Sequence, residues 1–389
     1  GKKALEMVSN KDKENNFEYL LKNNVNDKYQ SNLLTVKNVS FKEPKFEYSG
    51  ACAGCGETPY ITNLTRVFND NLMIANATGC SSIYSGSVPS MPYSIPWASS
   101  LFEDNTEYGY GILQGINIKR DKIKKYMKEY PRNKLFKKWI ENMDNYDICK
   151  EVRENIDYKK HPYLNDMKDY ILPKQLWVLG GDGFAYDIGY GGLDHVLSKK
   201  DNINILVLDT EVYSNTGGQS SKSSNIGSVA SFTSNGKDNY KKDLARIAMC
   251  YPHVYVASVN IGYNKEQYLK AIKEASLHNG PSLIIAYSPC ISHGIKEGMG
   301  RAQANIEKAV KAGYWHLYRY NPQLKAEGKN PFTLDSKEPT ESFREFLMGQ
   351  VRYAAIAKQY PDVAEELFNM AEENAKERYN NYKRLAENF

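Results

Sequence analysis

The stretch Gln175-Leu176-Trp177-Val178-Leu179-Gly180-Gly181-Asp182-Gly183 decides which fold the chain is expected to adopt. Its apolar half predicts a buried strand, which runs directly into three glycines. A helix-compatible segment continues to Leu197, and the apolar run 203–208 predicts a second buried strand. A strand, a glycine turn and a helix together form a common device for holding a phosphate on backbone N–H groups.

Asp182 is the unusual residue of this stretch. Its carboxylate would repel a diphosphate unless a cation lay between the two groups. The segment 208–218, which reads LDTEVYSNTGG, follows the second strand and would face the glycine turn. The two segments together therefore favour a site for a metal-bridged diphosphate.

A dinucleotide-binding fold is the main alternative for the same residues. Gly181 and Gly183 supply the first two glycines of its fingerprint, and Asp209 ends the next strand, where a ribose-binding acid is expected. Tyr186, however, occupies the third small position, where it would push helix and strand apart. Asp182 would also place an unscreened charge against the pyrophosphate, so the metal-bridged interpretation is preferred. A glycine-rich turn that binds no ligand is the third interpretation.

The composition is that of an ordinary globular protein. The 389 residues suffice for one large α/β domain with an appendage, or for two domains. The net charge of +5 is spread along the chain, which does not indicate a nucleic-acid partner. No apolar run approaches the ~20 residues of a membrane span, and no signal-peptide core is present. Because the chain begins with Gly1, it is interpreted as a processed chain or a piece of a longer one.

Three regions are expected along the chain. Residues 1–48, rich in Lys, Asn and Asp, are predicted to be a linker or wrapping arm. Residues 49–312 are expected to form the domain that holds the site, and residues 313–389 a helical C-terminal extension whose last helix begins at Pro361. The segment 112–170 carries Lys and aromatic residues at helical spacing and predicts exposed helices.

Apolar runs alternate with helical segments in the central region. Four strands are predicted, at 175–180, 203–209, 253–259 and 282–287, and one intervening helix is expected over 264–278. This alternation predicts an α/β fold with a mainly parallel sheet flanked by helices.

The cysteines form the second informative pattern. Cys52 and Cys55 are two residues apart, a spacing that lets two thiolates bind one metal centre, and Cys80 and Cys290 are single cysteines far along the chain. Four thiolates would satisfy an iron–sulfur cluster or a structural zinc ion, and the spacing alone leaves both open. His293 keeps zinc in consideration, because a Cys-x-x-His ending is a legitimate zinc half-site.

The remaining cysteines are interpreted differently. Cys149 and Cys250 lie in predicted helices and are expected to be core residues rather than ligands. Six cysteines in a chain of this length do not indicate a disulfide scaffold, so reduced thiols in a reducing compartment are expected. That compartment is expected to be the cytoplasm, or an anaerobic mitochondrion-related organelle if the source is eukaryotic.

Together these motifs resemble the C-terminal thiamine-diphosphate-binding domain of the pyruvate:ferredoxin (flavodoxin) oxidoreductase family, which includes a pyruvate:NADP oxidoreductase variant. The resemblance covers roughly residues 48 to 310. The segments on which the resemblance rests are residues 50–60, 74–84, 100–105, 180–221 and 287–295.

The resemblance implies a role for each motif. The implied ligands of a 4Fe–4S cluster are Cys52, Cys55, Cys80 and Cys290. The implied magnesium ligands are Asp182, Thr210 and the backbone carbonyl of Val212. The residues implied to hold thiamine diphosphate are Glu57, Cys80, Gly181, Asp182, Gly183, Phe184, Thr210, Glu211, Val212, Tyr213, Ser214 and Asn215. Asn215 is also the implied catalytic residue, because it points at the reacting centre.

The implied reaction is the oxidative decarboxylation of pyruvate with coenzyme A to acetyl-CoA and carbon dioxide. Electrons would pass through the cluster to ferredoxin or flavodoxin, or to NADP through a fused reductase, in a protein expected to be a homodimer. In this family another domain supplies the carboxylate that activates the thiamine, and the chain lacks a cysteine-dense electron-relay module. The chain is therefore predicted to be a fragment that is inactive alone. A non-oxidative thiamine-dependent lyase with structural zinc, and a binding module with a vestigial site, are the alternatives.

Overall fold

The apolar runs of the sequence become the strands of one sheet. The computed structural model describes Tyr19, residues 34–86 and residues 91–388, and among these residues the sheet has eight strands in the order β2-β1-β3-β4-β6-β5-β7-β8. The strands are β1 (Leu72–Ala77), β2 (Trp97–Ser100), β3 (Gln175–Gly180), β4 (Asn204–Asp209), β5 (Tyr255–Val259), β6 (Ser282–Tyr287), β7 (Tyr318–Tyr320) and β8 (Phe332–Leu334).

The first six strands are parallel, and the last two close one edge of the sheet in antiparallel pairing. In register, Gly180 of β3 pairs with Val207 of β4, and Asp209 pairs with Tyr287 of β6. The carboxyl ends of neighbouring strands therefore meet at one edge, which is where open α/β sheets bind their ligands. The prediction of a mainly parallel α/β fold is confirmed.

Helices cover both faces of the sheet, and short 3₁₀ turns lie at 69–71, 168–170, 291–293 and 299–301. The helices are α1 (Val36–Phe41), α2 (Thr58–Phe68), α3 (Cys80–Ile83), α4 (Asn105–Lys128), α5 (Lys134–Glu141), α6 (Tyr146–Asn155), α7 (Pro162–Asn165), α8 (Asp182–Ala185), α9 (Tyr190–Leu197), α10 (Leu244–Ala248), α11 (Lys265–Leu277), α12 (Ala302–Lys311), α13 (Gln323–Ala326), α14 (Phe343–Met348), α15 (Val351–Gln359) and α16 (Pro361–Glu387).

The continuous apolar runs of the central strands are explained by burial on both faces. Val178 and Ile205 point into one hydrophobic cluster, whereas Trp177 and Leu206 point into a second cluster on the opposite face. Successive side chains of a strand face opposite ways, so a strand covered on both sides has to be apolar throughout. This is why the sequence pattern marks these strands so clearly.

The helices between β2 and β3 differ from the prediction of exposed helices. They enclose a third hydrophobic cluster, in which Ile123, Phe136 and Trp139 are fully buried. The indole of Trp139 donates a hydrogen bond to the Ile171 carbonyl at 2.8 Å, which ties the start of the unit to its end. The segment is therefore a helical unit with a core of its own.

Both flanking regions pack onto the central sheet. Val39 and Phe46, from the predicted arm, lie in the second cluster, and Phe368 and Tyr382 of α16 lie in the first. The region 313–389 contains β7 and β8 in addition to its helices. The division at 48 and 312 stays a prediction, and apart from Tyr19 the arm before residue 34 lies outside the described residues.

Two local predictions were wrong. The helix expected up to Leu197 is divided into α8 and α9 by a turn at 186–189. Gly189 is closely packed in this turn, since an added Cβ would lie 2.4 Å from the carbonyl oxygens of Phe102 and Phe184. Cys250 is exposed in the turn that follows α10 rather than buried, whereas Cys149 is buried as expected. In the part of the chain that the structure describes, no helix is both long and apolar enough to cross a membrane.

Candidate active site

Two adjoining cavities lie where the parallel strands end. The first has a volume of about 550 Å³, including space open to solvent. The loops that follow β1, β2, β3 and β4 supply most of its wall. Its lining residues are Glu57, Thr78, Gly79, Cys80, Ser81, Phe102, Gly181, Asp182, Gly183, Phe184, Val212, Tyr213, Ser214, Asn215 and Thr216.

The second cavity, of about 590 Å³, brings the four predicted cluster ligands together. Cys52, Cys55, Cys80 and Cys290 all line it, although they come from three separate parts of the chain. The two cavities share a wall. The residues that line both are Glu57, Cys80, Ser214 and Asn215.

The three predicted magnesium ligands are in contact. The Asp182 carboxylate accepts hydrogen bonds from the Thr210 backbone N–H at 3.1 Å and from its hydroxyl at 3.4 Å. The Thr210 hydroxyl lies 2.9 Å from the Val212 carbonyl oxygen. The second carboxylate oxygen of Asp182 accepts from the Ser221 hydroxyl at 2.5 Å. Hard oxygen donors of this kind are the ones that magnesium prefers.

Asp182 is a carboxylate in an unfavourable place for a charge. It is 3% exposed, and burial together with the neighbouring Asp209 carboxylate raises its pKa well above the ordinary range. Ser221 opposes that shift only in part. A cation beside Asp182 would stabilise its ionised form.

The cysteine thiols lie in surroundings that disfavour the free thiolate. Burial and the nearby Glu57 carboxylate raise the pKa of Cys55 and raise that of Cys80 to about 12. The Ser214 hydroxyl donates to the Cys80 sulfur at 3.2 Å. Within the described ranges, no three His, Cys, Asp or Glu side chains are placed to hold a metal ion. What the four thiols share is one cavity.

Glu57 is a buried acid in the shared wall. Its carboxylate accepts a hydrogen bond from the Tyr84 hydroxyl at 2.8 Å. Burial raises the pKa of Glu57 to about 7, against a smaller lowering by Tyr84. Asn215, the predicted catalytic residue, is exposed at the opening of both cavities.

Gly183 lets two aromatic rings close over the first cavity. A Cβ at this position would lie 2.7 Å from the Tyr213 ring and 3.0 Å from the Phe102 ring. These rings meet edge to face with their centroids 6.5 Å apart. The glycine is therefore required by close packing on the cavity wall.

A buried ionic cluster lies behind the loop that follows β4. Lys241 contacts Asp209 at 2.8 Å and Glu211 at 3.0 Å, and Arg352 contacts Glu211 at 2.8 Å. Burial alone would raise the pKa of Glu211, but Lys241 and Arg352 lower it to about 2. Sequence reasoning missed Lys241 and Arg352, since neither belongs to a local motif. The Glu211 side chain, predicted to hold cofactor, is not among the residues that line the cavities.

The same buried ionic cluster excludes the interpretation of this site as a dinucleotide-binding fold. The Asp209 carboxylate is fully buried, and it accepts hydrogen bonds from Tyr186 at 2.7 Å and Ser223 at 2.5 Å in addition to the Lys241 contact. A carboxylate engaged in this way cannot bind a ribose at the surface.

His293 does not support a zinc site. It is fully buried and its Nε2 contacts the Thr210 carbonyl oxygen at 2.7 Å, whereas the cavity with the four cysteines is lined without it. Burial and the charge of Arg352 lower the pKa of His293 to about 3. A neutral ring that faces a carbonyl has its proton on Nε2, so this histidine holds the loop after β4.

Comparison with known proteins defines the class. Residues 169–286 match the family model described as "Thiamine pyrophosphate enzyme, C-terminal TPP binding domain". That segment begins just before β3 and includes the loops after β3 and β4 that line the first cavity. In this segment the chain is therefore similar to the thiamine-pyrophosphate-binding domain of such enzymes.

Three similar proteins are named as pyruvate oxidoreductases or dehydrogenases. A pyruvate:ferredoxin oxidoreductase of Moorella thermoacetica is 51% identical over 92% of this chain and 33% of its own length. A pyruvate-flavodoxin oxidoreductase of Klebsiella pneumoniae is 48% identical over 90% of this chain and 32% of its own. The mitochondrial NADP-dependent pyruvate dehydrogenase of Euglena gracilis is 43% identical over 91% of this chain and 21% of its own length.

The chain is similar over most of its length to one part of the pyruvate:ferredoxin and pyruvate-flavodoxin oxidoreductases, and the resemblance seen in the sequence is confirmed. It spans about one third of the length of these curated relatives. A solved 2-oxoglutarate:ferredoxin oxidoreductase from Magnetococcus marinus overlaps 86% of this chain and 90% of its own at a TM-score of 0.44 and 16% identity, a similarity too distant to support any conclusion.

Proposed function

We propose that the chain is the part of a pyruvate oxidoreductase that binds thiamine diphosphate, magnesium and a 4Fe–4S cluster. The complete protein would oxidatively decarboxylate pyruvate with coenzyme A to acetyl-CoA and carbon dioxide. The observation that carries the proposal is the wall shared by the two cavities, because Cys80 and Ser214 border both. A cofactor that becomes electron-rich in one cavity would lie beside a one-electron acceptor in the other.

Magnesium is supported by the oxygen atoms around Asp182. Magnesium binds oxygens at about 2.0–2.1 Å in octahedral geometry, so two neighbouring ligands lie about 2.9 Å apart. The Thr210 hydroxyl and the Val212 carbonyl oxygen are 2.9 Å apart, and the Asp182 and Thr210 oxygens are 3.4 Å apart. The donor set suits this ion, which Asp182, Thr210 and Val212 would hold and whose charge would offset that of the diphosphate.

The cluster is supported by the four thiols of the second cavity. Cys55, Cys80 and Cys290 are half-buried and Cys52 is exposed. Iron ligation would reverse the raised thiol pKa values by deprotonating the sulfurs outright. An iron–sulfur cluster accounts for single cysteines contributed by separate loops, and the buried His293 leaves no observation that favours zinc.

When bound, thiamine diphosphate supplies the nucleophilic carbon for decarboxylation, and the cluster accepts electrons singly. The chain itself orients these groups. Phe102 and Tyr213 would cover one wall with aromatic rings, Ser214 donates a hydrogen bond to the Cys80 sulfur, and the Glu57 carboxylate in the shared wall accepts one from the Tyr84 hydroxyl. Asn215 would contact the reacting atoms from the opening, as a catalytic residue.

The remaining assignments concern the complete protein. Electrons would pass to ferredoxin or flavodoxin, or to NADP through a fused reductase, and other domains would supply the activating carboxylate and the rest of the substrate pocket. A homodimer is proposed, in the cytoplasm or an anaerobic organelle. The 389-residue chain would bind cofactor weakly and turn over little pyruvate without those domains.

Anaerobic purification with metal analysis tests the proposal. We expect the chain to contain iron and acid-labile sulfide in similar amounts, and to bind thiamine diphosphate only when magnesium is present. Cys80→Ser is expected to lose the iron, whereas Cys250→Ser, which changes an exposed thiol outside both cavities, keeps it. Zinc without sulfide, or iron that persists in Cys80→Ser, would contradict the cluster.

A further inference from the structure

The turn that carries two of the proposed magnesium ligands has an unusual backbone. Glu211 lies between Thr210 and Val212 and has a φ of 59°. Left-handed backbone is unfavourable for a residue with a side chain as long as glutamate, and it persists only where the surrounding structure holds it in place. The conformation of this turn therefore depends on contacts made by its neighbours.

The side chain of Glu211 is held on the side away from both cavities. Its carboxylate contacts Arg352 at 2.8 Å and Lys241 at 3.0 Å, and accepts a hydrogen bond from the Tyr314 hydroxyl at 2.6 Å. The side chains of Glu211, Lys241 and Arg352 are no more than 5% exposed. A charged group this deeply buried keeps its position because all of its partners are fixed.

The main chain of the turn is fixed from the same side. The Glu211 carbonyl accepts a hydrogen bond from the Ser224 hydroxyl at 2.5 Å, and the Thr210 carbonyl contacts His293 at 2.7 Å. The Thr210 hydroxyl and the Val212 carbonyl are left facing each other next to Asp182. The turn thus presents its ligand oxygens towards Asp182, while the Thr210 and Glu211 carbonyls and the Glu211 carboxylate are bound by His293, Ser224, Lys241 and Arg352.

We propose that Glu211 is a positioning residue, whose buried salt bridges to Arg352 and Lys241 hold the turn that presents Thr210 and Val212 to magnesium. The proposal rests on the proposed function, since magnesium is part of it. Arg352 lies in α15, so the C-terminal region reaches the cofactor site through this contact. Groups behind a metal ligand commonly change metal affinity by about 10–100-fold when they are replaced.

Measuring metal affinity distinguishes a positioning role of Glu211 from a purely structural one. The 389-residue chain is titrated with Mn²⁺ in the presence of thiamine diphosphate. Calorimetry measures the affinity, and the electron paramagnetic resonance spectrum reports the surroundings of the bound ion. Glu211→Gln and Arg352→Gln are expected to weaken Mn²⁺ binding by about 10–100-fold and to alter that spectrum. Arg352→Lys, which keeps a cation of different reach, is expected to recover part of the affinity.

Asp335→Asn is the matched control. Asp335 is half-buried and forms a salt bridge with Arg319 at 2.8 Å, near β7 and β8 at the edge of the sheet. The Asp335→Asn variant is expected to have a lower free energy of unfolding and an unchanged affinity for Mn²⁺. Variants of Glu211 and Arg352 that lose stability but bind Mn²⁺ as the unaltered chain does would overturn the positioning role alone. If Glu211→Gln does not fold, the two Arg352 variants decide the question in the same way.

Failure of the proposed function gives a different result. An unaltered chain that binds neither Mn²⁺ nor thiamine diphosphate would overturn the magnesium site itself, and the positioning role with it.

Discussion

The Ser214 hydroxyl donates a hydrogen bond to the Cys80 sulfur over 3.2 Å, in the wall that separates the two cavities. Hydrogen bonds to ligand sulfurs set the reduction potential of iron–sulfur clusters, because they stabilise the more negative, reduced state. With the proposed cluster bound, this contact would let the loop that lines the first cavity tune electron transfer.

Ser214→Ala is expected to make the potential of the cluster more negative. A hydrogen bond contributes about 1 kcal/mol, which for a one-electron couple corresponds to roughly 40 mV. A redox titration followed by electron paramagnetic resonance measures the change. Ser81→Ala is the control, because Ser81 contacts the Asn76 amide and not a sulfur. An equal shift in both variants would contradict the assignment.

Asp182→Asn is expected to abolish magnesium-dependent binding of thiamine diphosphate while raising the melting temperature of the metal-free chain. The gain arises because burial and the neighbouring Asp209 carboxylate disfavour a charge on Asp182 by more than Ser221 and Lys241 offset. Calorimetric titration and thermal unfolding measure the two effects. Asp201→Asn, which changes a carboxylate that accepts hydrogen bonds from Tyr110 and Gln114 outside both cavities, should leave cofactor affinity unchanged. Normal affinity in Asp182→Asn would count against the magnesium site.

Gly183→Ala is expected to weaken thiamine diphosphate binding and to destabilise the fold by about 1–3 kcal/mol. The added methyl group would displace the Tyr213 ring, which lies 2.7 Å from its position. Gly191→Ala is the matched control, since its Cβ would enter open space within α9, and it should stabilise by about 0.5–1 kcal/mol. Urea unfolding together with cofactor titration compares them. If both variants behave alike, close packing at Gly183 is not what matters.

Acid is expected to destabilise the chain partly through His316. Burial and the charge of Arg378 lower the pKa of His316 from 6.5 to about 3. Below pH 6.5, His316 therefore binds a proton in the unfolded chain but not in the folded chain. The free energy of unfolding falls as the pH decreases towards 3. At pH 5 this loss amounts to roughly 2 kcal/mol.

His316→Gln should reduce the stability lost between pH 7 and pH 5 by roughly that amount. His195→Gln, which changes an exposed histidine, should not. Urea unfolding at the two pH values measures the difference within each variant, so any baseline effect of the substitution cancels. An unchanged pH dependence in His316→Gln would show that this ring is protonated in the folded state.

The sequence predicted the centre of the sheet better than its edges. β3 and β6 were placed at their observed bounds, and β4 and β5 to within two residues, because strands buried on both faces have to be continuously apolar. β2 reads WASS, and β7 and β8 have three residues each. Such short strands are defined by their pairing partners and leave little periodic signal.

The same difference separates the two parts of the site. The lining loops could be predicted because their residues are close together in the chain, from Gly181 to Phe184 and from Thr210 to Asn215. The ionic cluster could not, because Arg352 is 141 residues from Glu211 in sequence. No local pattern connects two charges at that separation, and only the folded chain brings them together.

The helical unit between β2 and β3 has a consequence for the order of folding during synthesis. Its hydrophobic core is built from one continuous stretch of chain, so it can condense as soon as that stretch leaves the ribosome. β1 pairs with β2 soon after it is made, but its other neighbour, β3, emerges only after the helical unit is complete. β1, the strand that leads into Cys80, is therefore left with one unpaired edge during translation. Early folding of the helical unit shortens the distance between that edge and β3, which pairs with it.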